Sequence, residues 1–299
     1  MTLTAARAIR AFTIAVFALV VLPLQAATPD TKIPAAGPGH AAIASAYPLA
    51  SEAGKQILAK GGNAFDAAVA VASALNVVES CCSGLGGGGF FLLRRASDGR
   101  EVMIDLREMA PGASTRDMYL DKDGNAVASL SRDSALAAGI PGEPAGLAYL
   151  AKKYGKLPLS VSMQPAIKLA RDGFPLYERM RGAVSFKKDA FLKTADAAHV
   201  FLDNGEVPAI GYIIRQPDLA DSLELLASKG ADGYYKGAFA KKLVAGVHQL
   251  GGNWTEADLA NYKVVERAPV VGHYRGARIV SGSPPTSGGI ALIDALNIL

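Results

Sequence analysis

Hydrophobic and polar positions change period along this 299-residue chain. From Ala64 to Val78, Phe65, Ala68, Val69, Ala72 and Leu75 share one helical face while the other faces are also apolar, which predicts a helix buried on most sides. Pro48 to Lys60 predicts a preceding helix that stops at Gly61-Gly62, where glycine accepts the left-handed cap conformation. The pattern then becomes strand-like. Phe90 to Arg95 and Glu101 to Arg107 flank the turn signal Ser97-Asp98-Gly99, predicting an antiparallel hairpin with Arg107 at a strand end. Helical spacing returns over Ala145 to Tyr154, behind the punctuated Gly139-Ile140-Pro141-Gly142, and over Pro165 to Arg171. Leu219 to Ser228 and Ala238 to Leu250 continue it, with Gly251-Gly252 as a stop and Thr255 to Asp258 as a capping sequence. Val264 to Val271 and Ala277 to Ser281 predict further strands. No internal repeat or low-complexity tract interrupts this order.

The N-terminus follows a different logic. Arg7 and Arg10 precede an apolar run from Ala11 to Leu24, and Ala26 and Ala27 offer small residues for cleavage, so residues 1–27 are expected to be a signal peptide. Residues 28–39, rich in Pro, Ala and Gly, form a flexible lead-in, with order beginning near His40. The apolar core is short for a membrane span and no second stretch of spanning length follows, so a periplasmic or secreted protein without a stable span is expected. Losing Arg7 and Arg10 with the signal takes the formal charge from +4 to +2. Lys and Arg are interspersed with acids, which excludes a nucleic-acid footprint and a polybasic membrane patch. The two cysteines, Cys81 and Cys82, are adjacent. They are expected to be small buried hydrophobes, since a vicinal disulfide is strained and further metal ligands are not apparent nearby.

The chemistry concentrates in Ser83-Gly84-Leu85-Gly86-Gly87-Gly88-Gly89-Phe90. Gly84, Gly86 and Gly89 satisfy G-x-G-x-x-G, but that motif binds a pyrophosphate only between a strand and a following helix, and here a helix precedes and a strand follows. No Gly-Lys-Ser/Thr closes the run, so a Walker loop fails as well. Asp121 to Asn125 begins like a calcium loop, yet Ala126 and Arg132 stand where its glycine and glutamate belong, leaving a surface turn. His40, His199, His248 and His273 lack ligand spacing. Ser283, Thr286 and Ser287 lack both a nucleophile elbow and an identifiable base. No metal or organic cofactor is implied.

The glycine run, followed by Asp105 to Pro111, resembles the large-subunit half of the γ-glutamyltransferases (γ-glutamyl transpeptidases). Ordered matches extend the resemblance over residues 40–299. They include Gly61 to Ala68, Gly139 to Gly142, Ala170 to Phe174, Gly251-Gly252 with Thr255 to Tyr262, Tyr274-Arg275-Gly276 and Pro284 to Gly289. Ser80 and Thr286 depart mildly from the family's usual proline and serine. The resemblance implies an α+β fold of the N-terminal-nucleophile hydrolase type, a four-layer αββα sandwich that is incomplete in this chain. It implies transfer of the γ-glutamyl group of glutathione or a related donor to water, an amino acid or a peptide, through a threonine acyl-enzyme. A related N-terminal-nucleophile acylase, of the cephalosporin acylase or poly-γ-glutamate depolymerase type, and an inactive γ-glutamyl-binding remnant are the alternatives.

In that family the arginine of the matching segment grips the donor's α-carboxylate, which makes Arg107 the substrate-binding candidate. A guanidinium fork matches a carboxylate in two parallel hydrogen bonds. Asp105 and Glu108 are expected to orient Arg107 or fix its turn, and Gly86 to Gly89 to shape the wall beside it. No catalytic residue is assigned. The family's nucleophile belongs to a Thr-Thr-His segment of the small subunit, and no Thr-Thr pair occurs here. The apolar pattern ending at Leu299 without a cap adds the expectation of a fragment of a longer zymogen, with the small subunit as its partner and no activity on its own.

Overall fold

In the computed structural model residues 41–299 are described; the expected signal over 1–27 and the lead-in over 28–39 lie outside the described residues. The chain begins with α1 (Pro48–Ala59), α2 (Ala64–Val78) and the hairpin β1 (Gly89–Arg94) and β2 (Glu101–Leu106). A mainly helical middle follows: α3 (Ala128–Arg132), α4 (Glu143–Tyr154), α5 (Leu159–Ser162), α6 (Gln164–Asp172), β3 (Phe174–Pro175), α7 (Glu178–Phe191) and α8 (Ala195–Phe201). It continues through β4 (Ile213–Ile214), α9 (Pro217–Lys229), α10 (Ala231–Tyr235), α11 (Gly237–Gln249) and α12 (Glu256–Ala260). The last elements are β5 (Val265–Arg267), β6 (Val270–Tyr274), β7 (Ala277–Ser281) and α13 (Gly288–Ile298).

Helix α2 is the hub, packing against α1, α4 and α6. Asn63 starts it with a reciprocal capping box: its side chain accepts from the N–H groups of Phe65 and Asp66, while Asp66 accepts from the Asn63 N–H at 2.8 Å. Asp66 is fully buried yet satisfied, because it also accepts from the N–H groups of Lys156 and Leu157. The expected face is only partly right. Val69 of that face is buried, together with Ala67, Ala70, Ser73, Ala74, Asn76, Val77 and Val78 on the others, whereas Phe65, Ala68, Ala72 and Leu75 are half-buried.

Strands β1, β2 and β5 form one antiparallel sheet in that order, with Gly89 opposite Leu106 and Asp105 opposite Val265. Val102, Ile104 and Leu106 alternate toward the helices and join the core. The approach is close: a Cβ on Gly146 of α4 would lie 2.5 Å from Leu106 Cδ1. Glu101, Met103 and Asp105 point the other way, where the Ser283 hydroxyl donates weakly to Met103 Sδ at 3.9 Å. Across the second sheet, β6 pairs with β7, and the face carrying Gly272 is covered by α13. A Cβ on Gly272 would lie 2.9 Å from Ile293 Cγ2. The layers therefore run helix, sheet, sheet, helix, with the second sheet two-stranded among the described residues. The expected strand from Val264 to Val271 is two strands, because Pro269 cannot donate to a ladder and the chain turns there. No described helix is long and apolar enough to cross a membrane.

Candidate functional site

Arg107 is the first residue beyond β2, and its backbone is held from both sides. Its N–H donates to Asp105 Oδ1 at 3.0 Å, and its carbonyl accepts from the Tyr262 hydroxyl at 2.9 Å. Asp105 is almost fully buried and its second oxygen accepts from Arg267 Nε at 2.8 Å, so this carboxylate ties the corner to β5 rather than neutralising Arg107. Among the described residues the guanidinium pairs with one carboxylate, Glu108, through Nε to Oε2 at 3.0 Å, and lies 5.8 Å from the centre of the Phe90 ring. Among the described residues neither of its terminal nitrogens donates to the protein. The side chain is 56% exposed and borders an open cavity of about 500 Å³, shared with Gly86, Glu108, Met109, Tyr119 and Gly139.

The glycines explain how the corner is built. A Cβ on Gly88 would lie 2.1 Å from the Leu106 carbonyl oxygen, and one on Gly142 would lie 1.9 Å from it and 2.2 Å from the Tyr262 hydroxyl. Only glycine permits backbone to close on backbone in this way. Gly87 then accepts from the N–H groups of Gly142 and Glu143, both at 2.9 Å, and Met109 exchanges two hydrogen bonds with Ile140. Of the run from Gly86 to Gly89, Gly86 lines the cavity and Gly88 makes the close backbone approach.

Electrostatically the corner is acidic behind the arginine. Burial pushes the Glu143 carboxyl up to about 7, with the Glu108 charge adding and the Asn76 amide opposing. Burial, then the charges of Asp105, Glu108 and Glu143, raises Tyr262 above the ordinary tyrosine range, so its phenol stays protonated and donates to the Arg107 carbonyl. The free fork of Arg107 is the group here suited to an anion, and a carboxylate fits it in a bidentate pair.

Ser283, Thr286 and Ser287 lie outside the lining of this cavity. Ser283 is buried against Met103, and the Thr286 hydroxyl accepts from the Gly288 N–H. His199, His248 and His273 are exposed and scattered, and His40 lies outside the described residues. The cysteines differ from expectation. Cys81 and Cys82 are exposed, because the turn after α2 carries them out of the core that its apolar run suggests. Partial desolvation, followed by its contact with Cys82, pushes the Cys81 thiol up to about 12. Sequence reasoning also missed Tyr262, which is 155 residues from Arg107 and carries no local signal of that contact.

The layer order is that of the N-terminal-nucleophile hydrolase type. The family model for Gamma-glutamyltranspeptidase matches residues 50–299. The glutathione hydrolase proenzyme of Bacillus subtilis (strain 168) is 44% identical over 258 residues, covering 86% of this chain and 44% of the relative. Among solved structures, Helicobacter pylori gamma-glutamyltranspeptidase superposes with a TM-score of 0.85 at 42% identity, over 89% of this chain and 76% of that one. The cephalosporin acylase of Bacillus halodurans superposes less well, with a TM-score of 0.72 at 31% identity over 89% of this chain and 52% of its own. The chain belongs to the γ-glutamyltranspeptidase family. It spans less than half the length of the curated relatives it matches.

Proposed function

We propose that this chain is the large-subunit portion of a γ-glutamyltransferase and glutathione hydrolase, and that Arg107 grips the α-carboxylate of the γ-glutamyl donor. The observation that carries this reading is the half-exposed guanidinium of Arg107, with unpaired terminal nitrogens, at the rim of a cavity and on a backbone fixed by Asp105 and Tyr262. A hydroxyl is a poor nucleophile at its free pKa and needs a base, so acyl transfer requires the threonine and its freed α-amine from the small-subunit portion of the family. Water, an amino acid or a peptide then takes the γ-glutamyl group. A related acylase is the second reading, supported by the likeness to cephalosporin acylase. The donor separates the two, because an acyl group without an α-carboxylate gains nothing from the Arg107 fork.

The test is made on the enzyme assembled with the threonine-bearing portion. Arg107→Lys keeps the charge but loses the fork, and leaving one partner of a charge-assisted pair unmatched costs roughly 2–5 kcal/mol, or about 30-fold to several thousand-fold in kcat/KM for the donor. Autoprocessing involves no donor and continues. Wild-type kcat/KM in a normally processed Arg107→Lys enzyme would remove Arg107 from substrate binding. The 299-residue chain by itself is expected to release nothing from a chromogenic γ-glutamyl anilide. Residues 1–27 serve as an export signal to the periplasm or medium, and mass spectrometry of the mature N-terminus, expected after Ala26 or Ala27, tests that part.

A further inference from the structure

The turn that leaves α2 gathers two thiols and a carboxylate away from the Arg107 cavity. Glu79, the residue that ends the helix, is 2% exposed. Its carbonyl accepts from the N–H groups of Cys82 and Ser83, both at 2.9 Å, and this tight turn folds the two cysteines back over their own carboxylate neighbour. Cys81 Sγ lies 3.7 Å from Glu79 Oε2 and 3.1 Å from Cys82 Sγ. One donor atom from each of the three residues falls within 4.8 Å of the others. The Tyr177 hydroxyl donates to the second Glu79 oxygen and orients the carboxylate. An open cavity of about 370 Å³, bordered by Cys81, Cys82, Arg179 and Phe186, gives access from solvent.

We propose that Glu79, Cys81 and Cys82 form a binding site for a thiophilic divalent cation of the zinc type, with its fourth position open to water. Zinc takes thiolate sulfur at about 2.3 Å and carboxylate oxygen at about 2.0–2.2 Å in a tetrahedron, so bound sulfur and oxygen stand roughly 3.6 Å apart and two sulfurs roughly 3.8 Å apart. The Cys81 to Glu79 spacing matches as it stands. The Sγ pair must open by a fraction of an ångström, which a rotation of the exposed Cys82 side chain supplies. Arg179 already marks the place of a cation: its guanidinium lies 3.6 Å from Glu79 Oε2 and 3.6 Å from Cys82 Sγ. That side chain is 59% exposed and free to swing outward when a metal takes its place. Both thiols release their protons on binding. The bound ion would clip the end of α2 to the turn that launches the glycine run, stabilising the wall of the Arg107 cavity from behind without entering it.

The experiment uses the tag-free full chain, with its thiols kept reduced by a phosphine and counted by titration, and Zn²⁺ or Co²⁺ as the probe. Calorimetry is expected to give one ion per chain, and cobalt to give a near-ultraviolet sulfur-to-metal charge-transfer band. Each of Cys81→Ser and Cys82→Ser is expected to weaken binding at least as much as loss of an outer partner at a metal site, roughly 10–100-fold. Because both cysteines are exposed, these variants leave the fold intact. Arg179→Ala removes the competing charge and is expected to tighten binding roughly two- to five-fold, the scale of an exposed ion pair. Unchanged affinity in the double Cys81→Ser/Cys82→Ser variant would overturn the proposal, placing the ion elsewhere. So would the absence of the cobalt band in a wild-type chain with both thiols titratable.

Discussion

The two sheets of this chain are built from similar alternating strands and meet different surroundings. In the first, β2 is buried at five consecutive positions, from Val102 to Leu106, since helices cover one face and the β7 side covers the other. In the second, α13 covers one face, yet Val271 on β6 and Ile290 and Leu292 on α13 remain more than 40% exposed. Alternation assigns residues to two faces; what each face meets decides whether it is sealed. The site follows the sealed sheet. Arg107 emerges from the end of β2, so its guanidinium stands on backbone held by a buried strand and by the Asp105 and Tyr262 hydrogen bonds, an arrangement that favours preorganisation.

The largest expected effect separates the sheets directly. Ile104→Ala removes a fully buried side chain from β2 and is expected to cost about 2–5 kcal/mol. Val271→Ala, at 44% exposure on β6, is expected to stay within about 0.5 kcal/mol. Urea unfolding of the two variants measures both, and equal losses would break the comparison.

A smaller effect lies behind the site, at Glu143. Burial raises its folded-state value from the ordinary 4.5 to about 7, so the folded chain binds the extra proton across that interval. Stability contributed by the neutral carboxyl is complete below the unfolded value and is lost as pH rises through about 7. At about 1.36 kcal/mol per pH unit the ceiling is about 3 kcal/mol. Glu143→Gln, neutral at every pH, is expected to flatten this decline, so that its advantage over wild type in urea midpoint appears near pH 8 and vanishes near pH 4. An unchanged decline in the variant would assign it to another group.

What the sequence disclosed divides along the same line. Helix α2, the β1–β2 hairpin and the position of Arg107 were legible because each rests on local signals: Asn63 with Asp66 as a cap, Gly99 in the turn at φ +70°, and Arg107 at the end of an apolar strand. The contacts that hold the Arg107 corner were not legible. Gly142 and Tyr262 reach it from distant segments, and only the assembled sheet brings them together. Helix α7 escaped notice because it is polar over most of its surface, burying only Met180 and Val184 completely. The cysteines were misread because hydrophobicity favours burial, whereas the turn at Glu79 decides their direction.

The smallest effect concerns a place where the two sheets are pinned by charge. Arg278 on β7 donates through both terminal nitrogens to the two oxygens of Glu101 on β2, at 2.8 and 2.7 Å. The bidentate match holds the Glu101 carboxyl below the ordinary carboxylate range, chiefly through these hydrogen bonds. A lowered folded-state value means the pair stabilises the chain above the unfolded pKa and ceases to do so as pH falls through the lowered one. Solvent reaches both groups, so the effect on global unfolding is expected to be slight and to fade with added salt. The local effect is expected to be larger, because the exposed second sheet has few other polar ties to β2. Arg278→Ala is therefore expected to speed amide exchange in β6 and β7 while leaving β1 and β2 protected, at neutral pH and low salt. Uniform loss of protection across both sheets would mean that they unfold as one unit, and that the contrast between them is one of exposure and not of cohesion.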